Sequence, residues 1–108
     1  MHFILLTSLI LLSENIVLQK IASDKFDVGT TAKLNCRLVA GYEPINIRWS
    51  KELNERSLTH MKVEGFKLVI ENIRMKDSGN YTCYVNNSFS ESSLTFHVNV
   101  YGMSCHVC

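Results

Sequence analysis

Cysteine and histidine are the residues of this chain whose types and spacing point first to chemistry. Four cysteines in 108 residues favour either disulfide bonds or a metal site. Cys105 and Cys108 form a C-x-x-C pair around His106. A redox dithiol needs a βαβ context, and zinc needs two further ligands at suitable spacing, whereas His60 and His97 are isolated. We therefore expect Cys105 and Cys108 to be intermolecular or inter-module thiols, either paired or free.

Two asparagines are candidates for covalent modification. Asn80-Tyr-Thr82 and Asn86-Asn-Ser88 both match the N-glycosylation acceptor pattern, which matters only if the chain is secreted. The chain contains no G-x-S-x-G or H-E-x-x-H motif and no Gly-rich phosphate-binding loop, so the common hydrolase and nucleotide-binding patterns are missing. We expect no catalytic residue, no cofactor, no metal site and no small-molecule substrate.

The composition suits one small folded domain. Hydrophobic residues make up 46% of the chain and charged residues 19%, and 11 Lys and Arg oppose 10 Asp and Glu. A disordered segment would be more polar. The nearly neutral balance argues against a nucleic-acid partner and against a polybasic membrane tether.

The N-terminus carries an apolar run of ten residues, Phe3–Leu12. A bilayer-spanning helix needs about 20 residues, whereas this length suits the apolar region of a secretory signal peptide. We expect residues 1–13 to be such a leader, and the alternative is a buried strand or the start of a helix. No second apolar stretch of spanning length follows, so no transmembrane segment is expected.

Alternating apolar and polar residues dominate the rest of the chain, which predicts strands with one buried face. Alternation predicts strands around 32–38, 45–49, 66–70, 81–85 and 94–100. An earlier strand is expected around 16–21, and short edge strands are expected near Leu53 and Met61–Val63. No window has a sustained helical period. Many short strands separated by turns predict an all-β sandwich or barrel.

Three residues and a corner motif select between these folds. Cys36 precedes Trp49 by 13 residues and Cys83 follows it by 34, within Asp77-Ser-Gly79-Asn-Tyr81-Thr-Cys83. Residues 16–101 thereby resemble the immunoglobulin superfamily, most closely the I-set type of tandem-immunoglobulin extracellular proteins (perlecan-type, hemicentin-like and adhesion molecules). The expected fold is a two-sheet antiparallel immunoglobulin-like β-sandwich. Residues 102–108 then form a tail or the start of another module.

The resemblance implies structural roles for the motif residues. It implies a Cys36–Cys83 disulfide between the sheets, with Trp49 packed on it, and a Tyr81 hydroxyl that bonds to the backbone at the corner. Leu68 lies on the strand that leads to that corner, and Gly79 is expected at a backbone angle that other residues resist. The resemblance also suggests a cation for Asp77, for which the candidates are Arg56, Lys62 and Arg74. Ser90 stands where the family often has glycine.

The resemblance further suggests a surface for protein partners. The strands carrying Trp49, Cys83 and Phe96 should share a sheet whose outward residues include Arg48, Tyr84 and His97. Loops 41–44 and 87–92 are the other candidates, because binding residues concentrate on loops.

Two functions remain open at this point. The first is a secreted, non-enzymatic binding or adhesion module that engages extracellular or cell-surface proteins. The alternative is an intracellular muscle-type structural domain with reduced cysteines. The apolar leader and the two glycosylation acceptors favour the first.

Overall fold

The computed structural model describes residues 15–23, 25–52 and 61–102. Within them the chain forms eight strands and one 3₁₀ turn at Met75–Asp77. The strands are β1 Val17–Ile21, β2 Lys25–Asp27, β3 Ala32–Ala40, β4 Asn46–Lys51, β5 Lys62–Glu64, β6 Lys67–Ile70, β7 Gly79–Asn86 and β8 Glu91–Tyr101. The predicted all-β sandwich is confirmed. Five of these strands coincide with the alternating segments, and β1 and β5 lie where the other strands were expected, around 16–21 and near 61–63.

The strands form two four-stranded sheets, ordered β1-β3-β6-β5 and β2-β8-β7-β4. All pairs are antiparallel except β2 and β8, which are parallel. The chain changes sheets between β1 and β2, so β1 lies beside β3 and β2 beside β8. This crossing leaves part of the β3 edge without a β1 partner, since their pairing ends at Ile21 and Asn35.

The core lies between the sheets, where the alternating apolar residues of both meet. Leu34 pairs with Leu68 in one sheet, Tyr81 pairs with Phe96 in the other, and all four side chains are almost completely buried. Burying a large apolar side chain contributes roughly 1.5–3 kcal/mol each. The fold therefore depends mainly on this contact between the sheets.

The short strand β2 was not predicted. Its three residues Lys25, Phe26 and Asp27 are too few to show a period of two, and β2 pairs with β8 more than seventy residues later. Phe26 is buried in the core while its neighbours are exposed. The arrangement fastens the N-terminal part of the chain to both sheets.

Candidate functional site

The cysteines of the corner motif and of β3 form the disulfide. Cys36 and Cys83 are bonded across the two sheets with their Cα atoms 6.6 Å apart, and both are fully buried. Trp49 is the cross-strand partner of Cys83 and stacks at a tilt on Phe96, with ring centroids 5.6 Å apart. Its indole N–H donates to the carbonyl oxygen of Gly65 at 3.1 Å, so its polar group is satisfied in the core.

The Tyr81 hydroxyl closes the corner between the 3₁₀ turn and β7. It donates to the carbonyl oxygen of Asp77 at 2.5 Å. Burial, and secondly the Asp77 carboxylate, raise the pKa of Tyr81 above its usual range, which keeps the hydroxyl protonated as a donor. The carboxylate in turn accepts the backbone N–H of Arg74 at 2.8 Å. These two hydrogen bonds close the 3₁₀ turn and join it to β7 at the corner.

The structure describes two of the three cations considered as partners for the Asp77 carboxylate. Lys62 forms an ion pair with Glu71 at 3.1 Å, and Arg74 reaches the Asp77 carboxylate through its backbone N–H. Arg56 lies outside the described residues.

Lys51 is a buried cation that the sequence reasoning missed. It is 8% exposed, lies over the Tyr81 ring at 5.3 Å from the centroid and donates to the Lys76 carbonyl oxygen at 3.2 Å. Gly79, at a φ of +149°, leaves the room for this side chain, since a Cβ there would lie 3.1 Å from Lys51 Cε. Lys51 lies two residues after Trp49 on β4 and therefore faces the same side of the sheet, which was the signal available in the sequence.

The outward face of β4, β7 and β8 contains the three residues proposed from the resemblance, but not as one cluster. Arg48 pairs with Tyr84, and its guanidinium lies 4.4 Å from the ring centroid. His97 pairs with Asn80, four residues along β7 from Tyr84, and its Nδ1 contacts the Asn80 Oδ1. The Arg48 guanidinium and the Tyr84 ring are therefore in contact with each other, whereas His97 lies about 13 Å from Tyr84 along the strand direction.

The two glycosylation acceptors differ in their surroundings. Asn86 is exposed, and its Oδ1 accepts a hydrogen bond from Asn46 Nδ2 at 3.2 Å. Asn80 is half-buried, and its Nδ2, the atom a glycan would use, donates to Glu52 Oε1 at 2.7 Å. The geometry favours modification of Asn86.

The loops at the opposite end from the corner carry an exposed aromatic pair. Tyr42 follows β3 and Phe89 lies in the β7–β8 turn, with their rings edge to face at 5.6 Å. Tyr42 is 37% exposed and Phe89 61%. Aromatic side chains so exposed are candidates for an interface, because they supply large contact area at low entropic cost. We call Tyr42 and Phe89 the aromatic tip.

Asn87 holds the aromatic tip together. Its Oδ1 accepts the backbone N–H groups of Phe89 at 2.8 Å and Ser90 at 2.9 Å, and its Nδ2 donates to the Tyr42 carbonyl oxygen at 2.8 Å. The Asn87 side chain thereby closes the β7–β8 turn, and Ser90, where the family often has glycine, has no positive φ in this turn. One residue fixes the turn and ties it to the loop after β3.

Three predicted features fall outside the described residues. These are the leader at 1–13, the edge strand near Leu53, and the thiols of Cys105 and Cys108. Among the residues that the structure does describe, no three His, Cys, Asp or Glu side chains are grouped so as to hold a metal ion. No helix in that same part of the chain has the length and apolar character needed to cross a membrane.

Comparison with known proteins decides the family. The family model described as immunoglobulin I-set domain matches residues 16–100. The chain belongs to the immunoglobulin I-set family. Mouse neural cell adhesion molecule L1-like protein is 41% identical to this I-set domain over 75 residues, 67% of the chain and 6% of that protein. Mouse fibroblast growth factor receptor-like 1 is 31% identical over 78 residues, 68% of the chain and 14% of that protein.

Solved structures agree on the fold. The tandem Ig repeats of Dlar superpose with a TM-score of 0.69 at 25% identity, covering 84% of this chain and 50% of that one. The titin domains z1z2 in complex with telethonin also reach 0.69, but at 17% identity over 83% of this chain and 50% of theirs, which shows the fold alone. The I-set domain thus spans only a small part of the adhesion and receptor proteins that it resembles in sequence.

Proposed function

We propose that this I-set domain is an extracellular, non-enzymatic module that binds a protein partner through the aromatic tip. The observation that carries the proposal is the exposure of Tyr42 and Phe89 on two loops fastened to each other. A preorganised aromatic pair loses little conformational freedom on binding, so its contact area contributes to affinity with little entropic loss.

Charge at the tip indicates the kind of partner. Glu43 and Glu91 are exposed beside Tyr42 and the β7–β8 turn. A partner with an apolar recess and a basic rim would complement this end, since complementary rim charges speed association and set orientation.

Several features support the extracellular location. The Cys36–Cys83 bond is typical of oxidising compartments, and the relatives matched in sequence include adhesion and receptor proteins. The leader predicted at 1–13 and an exposed Asn86 in a glycosylation pattern point the same way. An intracellular muscle-type role has only the shared fold in its favour.

Matched double variants can distinguish binding at the aromatic tip from binding at the outward sheet face. The secreted chain, multimerised, would be screened against cells displaying individual extracellular proteins, and the partner found would be titrated. We expect Tyr42→Ala with Phe89→Ala to weaken binding by more than about tenfold, as truncation of aromatic anchors does. The control, Arg48→Ala with Tyr84→Ala, should bind as the parent does. Loss in the control with retention in the tip variant would move the site to the sheet face, and the absence of any protein partner would contradict the proposal.

A further inference from the structure

The edge of β3 borders an open groove that the protein-binding proposal does not use. The groove has a volume of about 630 Å³. It lies where the chain leaves β1 at Ile21 and reaches the other sheet at Lys25, so Ala32, Lys33 and Leu34 pair with β6 alone. The fold thus creates a recess with a free backbone edge on one side.

Three lysines line this recess, and we call it the lysine groove. Lys25 approaches from β2, Lys33 from β3 and Lys67 from β6. Asn35 pairs with Lys67, which makes Lys33 and Lys67 diagonal neighbours on the same outward face, about 7–8 Å apart at the backbone. Residues far apart in sequence therefore bring three lysines to one recess, where the Lys25 ammonium lies 5.5 Å from the centroid of the Tyr101 ring.

Among the described residues that line the groove, lysines outnumber acidic side chains. Among the described residues, none of these lysines forms an ion pair; the pair seen on this sheet joins Lys62 to Glu71. One acidic side chain, Asp27, lines the groove against the three lysines. The near-zero net charge of the whole chain hides this local excess.

The remaining lining determines which anion fits. Hydroxyl and amide groups accompany the lysines, at Ser23, Thr30, Thr31 and Asn35. Of the large apolar lining residues, Phe26 is buried and Ile21 is 44% exposed. A peptide strand added along the β3 edge would gain affinity from main-chain hydrogen bonds and specificity from pockets for alternate side chains, and Ile21 is the one large exposed apolar side chain of this lining that could form such a pocket. A ligand rich in anionic and hydroxyl groups matches the lysine, hydroxyl and amide groups of the lining better.

We propose that the lysine groove binds a sulfated polysaccharide chain. Lysine ammonium groups act as hydrated point charges that form charge-assisted hydrogen bonds with sulfate oxygens, and the hydroxyl and amide groups bond the sugar. The open shape admits a chain that passes through and continues on both sides. The proposal shares the extracellular location with the proposed function, but it uses other residues and another ligand.

The test measures binding of a fully sulfated heparin octasaccharide to the secreted chain. Lys33→Gln with Lys67→Gln is compared with Arg48→Gln with Lys76→Gln, which lowers the net charge equally on exposed residues outside the groove. We expect the groove variant to bind about tenfold more weakly, about threefold for each lysine, and the control to change less than about twofold. Binding of the parent should weaken as salt is raised towards about 150 mM, because exposed charges are screened.

Several outcomes would overturn the proposal. Equal losses in both double variants would mean that affinity follows net charge without a site. Equal binding of the desulfated octasaccharide would remove the role of sulfate, and tighter lysine-dependent binding of polyglutamate would assign the groove to an acidic protein segment. Absence of binding would also reject it. The Tyr42→Ala, Phe89→Ala variant should bind the octasaccharide normally, so failure here is distinct from failure of the aromatic tip.

Discussion

Single hydrogen bonds decide how tightly the corner of this sandwich is closed. The Tyr81 hydroxyl is buried and donates a hydrogen bond to the Asp77 carbonyl oxygen, and the Lys51 ammonium lies over the Tyr81 ring. A buried phenol of this kind contributes chiefly because leaving its partner unsatisfied is costly.

Replacement of Tyr81 by Phe should lower the free energy of unfolding by about 1–2 kcal/mol, since the Asp77 carbonyl oxygen loses its donor. The raised pKa of Tyr81 adds a pH dependence. The stability that comes from this pKa difference is fully present below the unfolded-state pKa of about 10 and is lost as pH rises towards the folded-state pKa. Denaturant unfolding between pH 7 and 11 should therefore show the parent losing more stability than the Phe variant above pH 10. Parallel curves would contradict this account.

The two glycosylation acceptors should differ in occupancy. Asn86 Oδ1 accepts from Asn46, which leaves Nδ2 for a glycan, whereas Asn80 Nδ2 already donates to Glu52. In chain secreted from mammalian cells, Asn86→Gln should remove most of the glycan mass and Asn80→Gln little. The reverse result would show that the folded geometry does not control modification.

At the scale of elements, local alternation predicted long strands such as β3, β7 and β8 because one face of each is more buried than the other. It could not predict β2, which has three residues, nor the proximity of Tyr42 and Phe89, which depends on two loops from different strand pairs. The lysine groove was hidden for the same reason: Lys25, Lys33 and Lys67 come together only through strand pairing and the change of sheets. The corner motif, by contrast, is a continuous segment and was readable directly.

The β7–β8 turn should depend on the two polar atoms of Asn87 separately. Asn87→Ala removes the acceptor for the Phe89 and Ser90 N–H groups and the donor to the Tyr42 carbonyl oxygen. We therefore expect the free energy of unfolding to fall by about 1–2 kcal/mol and the backbone amides of Phe89 and Ser90 to exchange faster. Asn87→Asp keeps an acceptor and should protect the turn while releasing Tyr42. Both variants leave the Asn86 acceptor pattern intact. Equal exchange in parent and Ala variant would refute this role.

At the scale of the whole molecule, β3 connects the two proposed surfaces. The lysine groove lies beside its first residues and the aromatic tip follows its last, a separation of about 25 Å at strand rise. The two proposed surfaces are therefore far enough apart for a protein and a polysaccharide to be bound at once. The sandwich that carries both surfaces is cross-linked by the disulfide between its sheets.

Loss of the disulfide should weaken the whole domain. Replacing Cys36 and Cys83 by Ala removes a cross-link with a sequence separation of 47, which in the chain-entropy model is worth about 4 kcal/mol. Thermal unfolding of the variant should occur well below that of the oxidised parent, and the reduced parent should resemble the variant. Unchanged stability on reduction would show that the bond does not contribute.

The central claim, an extracellular disulfide-bonded I-set module, is tested most directly by mass spectrometry of the chain made in a secreting eukaryotic cell. Intact mass and non-reducing peptide mapping would be recorded before and after deglycosylation and thiol alkylation. We predict secreted material that lacks about its first dozen residues, carries glycan on Asn86 and contains Cys36 linked to Cys83. The map would also show the state of Cys105 and Cys108. Material retained in the cytosol, with Cys36 and Cys83 alkylated and no glycan, would contradict the account.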